Sequence, residues 1–163
     1  MIVVADTSPL RYLILIDHAH VLPALYGRVL MPDAVAKELN QQHTPELVRE
    51  WMASLPSWLE IRSPQLSLPE LSLQLGLGER QAIELAAELE ADAVLLDDWA
   101  ARLEAERRHL VVLGTLRVLA DAAEHGLADL AVALARLQQT NFRSSPEFIQ
   151  TLLDRDARRK AGR

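Results

Sequence analysis

Ile2-Val3-Val4-Ala5-Asp6-Thr7-Ser8-Pro9 is an apolar run that ends on a carboxylate and passes directly into helix-starting residues. Four apolar residues in succession read as a strand buried on both faces, as the strands of parallel sheets are. Ser8-Pro9 supplies an N-cap and a first-turn proline for a helix through Leu10, Leu13, Ile14 and Ile16. The same grammar returns at Ala93-Val94-Leu95-Leu96-Asp97-Asp98. If the two runs are neighbouring parallel strands, Asp6 and Asp97 emerge together at one edge of the sheet, where open α/β sheets place their active sites. Carboxylates gathered without basic partners repel one another, and a divalent cation is the usual remedy. The pattern therefore points to a hard-metal site.

Outward from these runs, the spacing predicts a short helix over 20–26, with Pro23 in its first turn, and a strand over 28–31 stopped by Pro32. Helices over 33–40 and 45–55 and a minor strand over 58–61 follow. Residues 62–72, with Pro64, Pro69 and three serines, read as a loop inside the domain. A helix with Ile83, Leu85, Ala86 and Leu89 as its stripe follows Gly78. The strand 93–96, a helix 98–108, a strand 110–113 and a helix 115–125 closed by Gly126 come next, then helices at about 129–139 and 146–158. Strands alternating with helices at this spacing imply βαβ units and a mostly parallel sheet of four to five strands, an α/β fold. The 163 residues fit one domain, with a core over about 2–125, C-terminal helices over about 129–158 and a basic tail over 155–163.

Half the residues are apolar, yet mean hydropathy is near zero. Charges break the apolar stretches well short of the roughly 20 residues that a membrane span needs. Asp6 and Arg11 interrupt the first hydrophobics and no cleavage site follows, so no signal peptide, no membrane partner and a cytoplasmic location are expected. The chain has no cysteine, which excludes a disulfide framework, a thiolate zinc site and a cysteine nucleophile. A net charge of −6 argues against a protein that coats nucleic acid by charge alone. Arg155, Arg158, Arg159, Lys160 and Arg163 against Asp156 read as a solvated, frayed terminus, with a phosphate-touching arm as the sharper alternative.

Each acid also has a structural reading. Asp6 suits an Asx-type cap, and Asp98 is a natural N-cap for the helix that carries Arg102, which leaves Asp97 for the site and the doublet ambiguous. Glu38 lies beside the Val35/Leu39 stripe, where a solvated face residue is the ordinary case. Glu79, in the first turn of its helix, is explained by the macrodipole alone, and Glu84 points to another face. Gly76-Leu77-Gly78 lacks the third glycine and the Gly-Lys-Ser/Thr of a phosphate loop. His18, His20, His43, His109 and His125 show no zinc spacing, and Ser8 has no elbow glycines.

Val3-Val4-Ala5-Asp6-Thr7-Ser8-Pro9-Leu10 resembles the opening strand of PIN-domain proteins. The resemblance continues through Met31-Pro32-Asp33-Ala34-Val35-Ala36-Lys37-Glu38-Leu39, a proline-started helix bearing a glutamate. Leu77-Gly78-Glu79-Arg80-Gln81-Ala82-Ile83-Glu84-Leu85-Ala86, Ala93 to Asp98 with Ala101-Arg102, and Leu113-Gly114-Thr115-Leu116 are similar to a less characterised prokaryotic branch of that superfamily, close in kind to VapC-type toxin ribonucleases. The likeness covers about residues 2 to 125 and implies a PIN-like three-layer α/β/α domain. It also implies a ribonuclease dependent on Mg²⁺ or Mn²⁺, often the toxin of a toxin–antitoxin pair, with RNA as substrate, a small antitoxin protein as partner and a homodimer. Carried over by position, the acidic set is Asp6, Glu38, Glu79 and Asp97, with Asp98 as a further metal ligand, and Thr7 or Ser8 adds a hydroxyl hydrogen bond to a ligating carboxylate or water. Many PIN nucleases have aspartate where Glu79 stands; Arg117 replaces a frequent glycine, and Trp99 follows the doublet.

The competing expectation is a PIN-like module that binds RNA or protein without cutting. A receiver domain needs its acidic pair near the chain start and a late lysine; here the doublet follows the fourth strand, and only Lys37 and Lys160 are present. A haloacid-dehalogenase-type phosphatase needs a second aspartate where Ser8 stands.

Overall fold

The apolar runs pair as parallel strands. In the computed structural model, which describes residues 1–71 and 73–163, Ile2–Ala5 (β1) lies between Arg28–Met31 (β2) and Ala93–Leu95 (β4). Leu59–Ile61 (β3) extends the sheet beyond β2, and Val112–Leu113 (β5) extends it beyond β4. The order is β3-β2-β1-β4-β5, with every pairing parallel. The chain winds outward from β1 through β2 and β3 and then crosses back to β4, which places the topological switch between β1 and β4.

Alternation along the strands explains why they are apolar throughout. Val3, Ala5, Val29, Met31 and Leu95 face one core, with Leu10, Leu13, Leu22, Leu39, Leu119 and Leu134. Val4, Leu30, Val94 and Leu96 face the other, with Ile83, Leu85, Ala101 and Ala105. The second face is covered by Leu77–Glu88 (α5) and Trp99–Arg107 (α6). The first is covered by Thr7–Leu15 (α1), Val21–Tyr26 (α2), Asp33–Leu39 (α3), Glu46–Ala53 (α4), Thr115–Glu124 (α7), Leu130–Gln138 (α8) and the inner side of Pro146–Ala161 (α9). Helices on both faces of the sheet make the three-layer α/β/α arrangement.

Three expectations shift. The first helix begins at Thr7, so Asp6 rather than Ser8 holds the N-cap position, and Pro9 sits among first-turn residues whose N–H groups need no helical partner. The fifth helix begins at Leu77 after Gly76, which puts Gly78 inside it. The basic end is helical through Ala161 rather than frayed, because the buried Asp156 pairs with Arg159 at 2.6 Å and Lys160 at 2.9 Å. Gly126 does close α7: at φ +70°, its N–H donates to Ala123 and the Leu127 N–H donates to Ala122, a Schellman closure that favours glycine.

The loop expected over 62–72 has no regular element among its described residues; Ser72 lies outside them. It is held to α5. The Gln65 and Leu66 N–H groups donate to Glu88 at 2.6 and 2.8 Å, the Leu68 N–H donates to Glu84 at 3.0 Å, and Leu71 is buried in the second core.

Leu95 is fully buried at the centre of the sheet. Leu95→Ala is expected to lower unfolding free energy by about 2–5 kcal/mol, read from the urea midpoint at unchanged slope.

Candidate active site

Asp6 stands one residue beyond the β1 ladder, with its N–H donating to the Leu95 carbonyl at 3.1 Å. Its carboxylate makes no capping bond to α1, and the buried Oδ1 has no hydrogen-bond partner. A buried carboxylate oxygen left without a donor costs free energy and asks for a ligand or proton. Burial pushes the Asp6 carboxyl up to about 7; the Thr7 N–H opposes this, while the negative charges of Glu79, Glu38 and Asp97 add to it. The four acids predicted from the sequence thus come from β1, α3, α5 and the end of β4 to act on one another at the C-terminal edge of the sheet.

Each of the other three is oriented by donors. Glu38, half-buried on α3, accepts the Thr7 hydroxyl on Oε2 and the Gly78 N–H on Oε1, the latter at 3.0 Å. A Cβ on Gly78 would lie 2.8 Å from Glu38 Oε2, so the absent side chain is what lets the carboxylate reach the helix terminus. Asp97 accepts from the Thr115 N–H at 2.8 Å and from its hydroxyl at 2.7 Å. Burial raises the Asp97 pKa, while the two Thr115 bonds and the nearby positive charges of Arg102 and Arg11 hold it down. Glu79 reaches back to the Gly76 N–H at 2.9 Å, so its capping role is real. Burial also raises the Glu79 pKa, against the Gly76 bond and with help from Asp98 and Glu38.

The doublet separates by environment. Asp98 is exposed and caps α6 by accepting the Ala101 N–H at 3.0 Å, whereas the charge of the half-buried Asp97 acts on Asp6. Glu84 points away and accepts the Leu68 N–H. Among the described residues no three His, Cys, Asp or Glu side chains form a closed ion cage, since Glu38, Glu79 and Asp97 are each turned onto N–H or O–H donors. The donor set nevertheless suits a hard divalent cation: it is all carboxylate oxygen, and the buried Oδ1 of Asp6 is unpartnered. Sequence reasoning missed the positioning roles of Thr115, Gly78, Arg11 and Arg102; the Gly114-Thr115 pair after β5 was the available signal.

A family model described as "DUF3368: PIN domain" matches residues 2–158, nearly the whole chain. The chain belongs to this PIN-domain family. PIN domains are generally nucleases and typically use divalent metals. A solved PilT N-terminus domain protein, SSO1118 from the hyperthermophilic archaeon Sulfolobus solfataricus P2, is similar in fold at a TM-score of 0.50 and 12% identity, covering 89% of this chain and 100% of its own. No curated protein matches the chain.

The electrostatics of this PIN site yield a stability test. An acid whose pKa is higher folded than unfolded contributes stability that is complete below about pH 4 and is lost as pH rises through about 7. Without divalent ions, the wild type is expected to lose stability relative to Asp6→Asn across that window, by at most about 4 kcal/mol at roughly 1.4 kcal/mol per pKa unit. Denaturant titrations of both chains in chelator, repeated over this range, check the prediction; parallel pH profiles contradict it.

Proposed function

We propose that the chain is a ribonuclease dependent on Mg²⁺ or Mn²⁺ that hydrolyses phosphodiester bonds. The observation that carries this reading is the convergence of Asp6, Glu38, Glu79 and Asp97 at the β1/β4 switch, with one buried Asp6 oxygen unpartnered. Asp6 and Asp97 would be the principal holders of the ion, with Glu38 and Glu79 at the rim and Asp98 kept to its cap. A bound ion at such a site lowers the pKa of an attacking water and stabilises charge on the phosphate and leaving oxygen.

The chain's own groups do the rest. Thr7 and the Gly78 N–H hold the Glu38 carboxylate in one orientation, and Thr115 holds Asp97. Such supporting donors fix the ligand geometry and its basicity. Arg11 and Arg102 add positive charge beside the acids, which draws a phosphodiester into a site that would otherwise repel it.

Purified wild type with Mn²⁺ or Mg²⁺ is expected to cleave RNA, and Asp6→Asn and Asp97→Asn to lose at least about a hundredfold in rate. Thr115→Val, which deletes one donor to Asp97, is expected to lose about 10- to 100-fold. Equal cleavage by all four proteins would mean that the activity lies elsewhere or in a contaminant. A toxin role, with a small antitoxin protein as partner, extends the same reading to the cell. Induced wild type should arrest growth and Asp6→Asn should not; equal growth under both would remove the toxin role while leaving the nuclease.

A further inference from the structure

Beside the acids, and sharing Asp97 and Arg102 with them, lies a cleft whose outer wall the hydrolytic chemistry does not use. The cleft, of about 370 Å³, opens from Asp97 and is lined by Arg102, Arg117, Phe142, Arg143 and Phe148. Its outer wall is the connection between α8 and α9. That connection is anchored: Phe142 packs edge-on against the Tyr12 ring, with centroids 5.0 Å apart at 86°, and the Tyr12 hydroxyl donates to Asn141 at 2.8 Å. At the cleft floor, Gly114 makes room for Arg102, whose Nη1 would stand 2.7 Å from a Cβ at that position.

Past the anchor, the chain presents the exposed Arg143 and then Phe148, 49% exposed on the first turn of α9. Arg143 has no ion-pair or hydrogen-bond partner among the described residues. Arg117 opposite is tied to Asp121 at 2.7 Å, and with that carboxylate counted beside Asp97 the cleft still holds three guanidinium groups against two acids. In a chain of net charge −6 this is a local reversal of sign. A half-exposed aromatic side chain lining the same cleft as an unpaired guanidinium is the equipment with which proteins hold unpaired nucleotides, the ring stacking on a base and the cation meeting the backbone.

We propose that this cleft is a nucleotide subsite, in which Phe148 stacks on an unpaired base and Arg143 contacts the phosphate beside it, in the single-stranded segment flanking the bond to be cut. The proposal rests on the ribonuclease reading for its place in the reaction, but the binding it describes is measurable without cleavage. Paired bases have their faces covered by their neighbours, so Phe148 contributes only where the base is unpaired.

The test uses the full chain carrying Asp6→Asn, so that RNA is bound and not cut, with a fluorescent single-stranded RNA oligonucleotide read by anisotropy. Adding Phe148→Ala should weaken binding about 5- to 150-fold and leave the salt dependence unchanged, while Phe148→Trp keeps affinity. Adding Arg143→Ala should weaken binding and lower the slope of log K against log salt by about 0.7. With the oligonucleotide annealed to its complement, Phe148→Ala should make no difference. Both side chains are solvent-facing, and a thermal melt confirms that each variant is folded. If Phe148→Ala and Arg143→Ala both bind single strands as tightly as their parent, the subsite is overturned; cleavage by the wild type then leaves the nuclease standing. If the variants bind weakly but the wild type cuts no RNA, the subsite stands and the nuclease falls.

Discussion

The parallel pairing of β1 with β4 is the constraint on which the site depends. Residues 5 and 95 are in register, and the ladder continues one step further through the Asp6 N–H to Leu95. Sequence distance between the two aspartates is thereby replaced by adjacency at the switch point of the sheet. The chain winds away on both sides of that seam, which leaves the crevice between β1 and β4 open for polar groups. Glu38 enters from the β2 side on α3, and Glu79 arrives on the helix that immediately precedes β4. Four elements that share no local sequence context are made neighbours by the pairing of β1 with β4 on one side and with β2 on the other.

Bringing negative charges together is costly, and the structure meets much of the cost with its own dipoles. Glu38 takes a helix-terminal N–H and a hydroxyl, Glu79 takes the N–H that precedes its helix, and Asp97 takes both donors of Thr115. Asp6 alone is left with a buried oxygen that no donor meets. The imbalance is concentrated on one residue, which lies amid the other three acids of the candidate site.

Much of this was legible in the chain. Strands apolar on both faces announced a covered parallel sheet, and the aspartates closing two of them announced the edge at which the acids gather. What was not legible is reciprocal geometry. Glu38 read as an ordinary face residue because its donors stand 31 and 40 positions away, at Thr7 and Gly78. Thr115 read as a helix start because the carboxylate it supports lies 18 residues earlier. The basic terminus read as frayed because Asp156 was counted as a lone acid against five cations, whereas it is buried and pairs with two of them along the helix. Glu79 was legible as a cap and is one, yet its charge also reaches Asp6, so the two readings were never exclusive.

The loop that precedes α5 is clasped to that helix through the N–H groups of Gln65, Leu66 and Leu68. Glu84 and Glu88 bind the loop's backbone from the same helix whose first turn supplies Glu79 and the Gly78 N–H. A backbone amide is offered by nearly every residue type, so the loop's side chains can drift while the grip persists. Its length and path cannot drift so freely, because they are tied to the seating of the helix that feeds the acids. The seating of α5 therefore depends on the span of this segment and not on its letters.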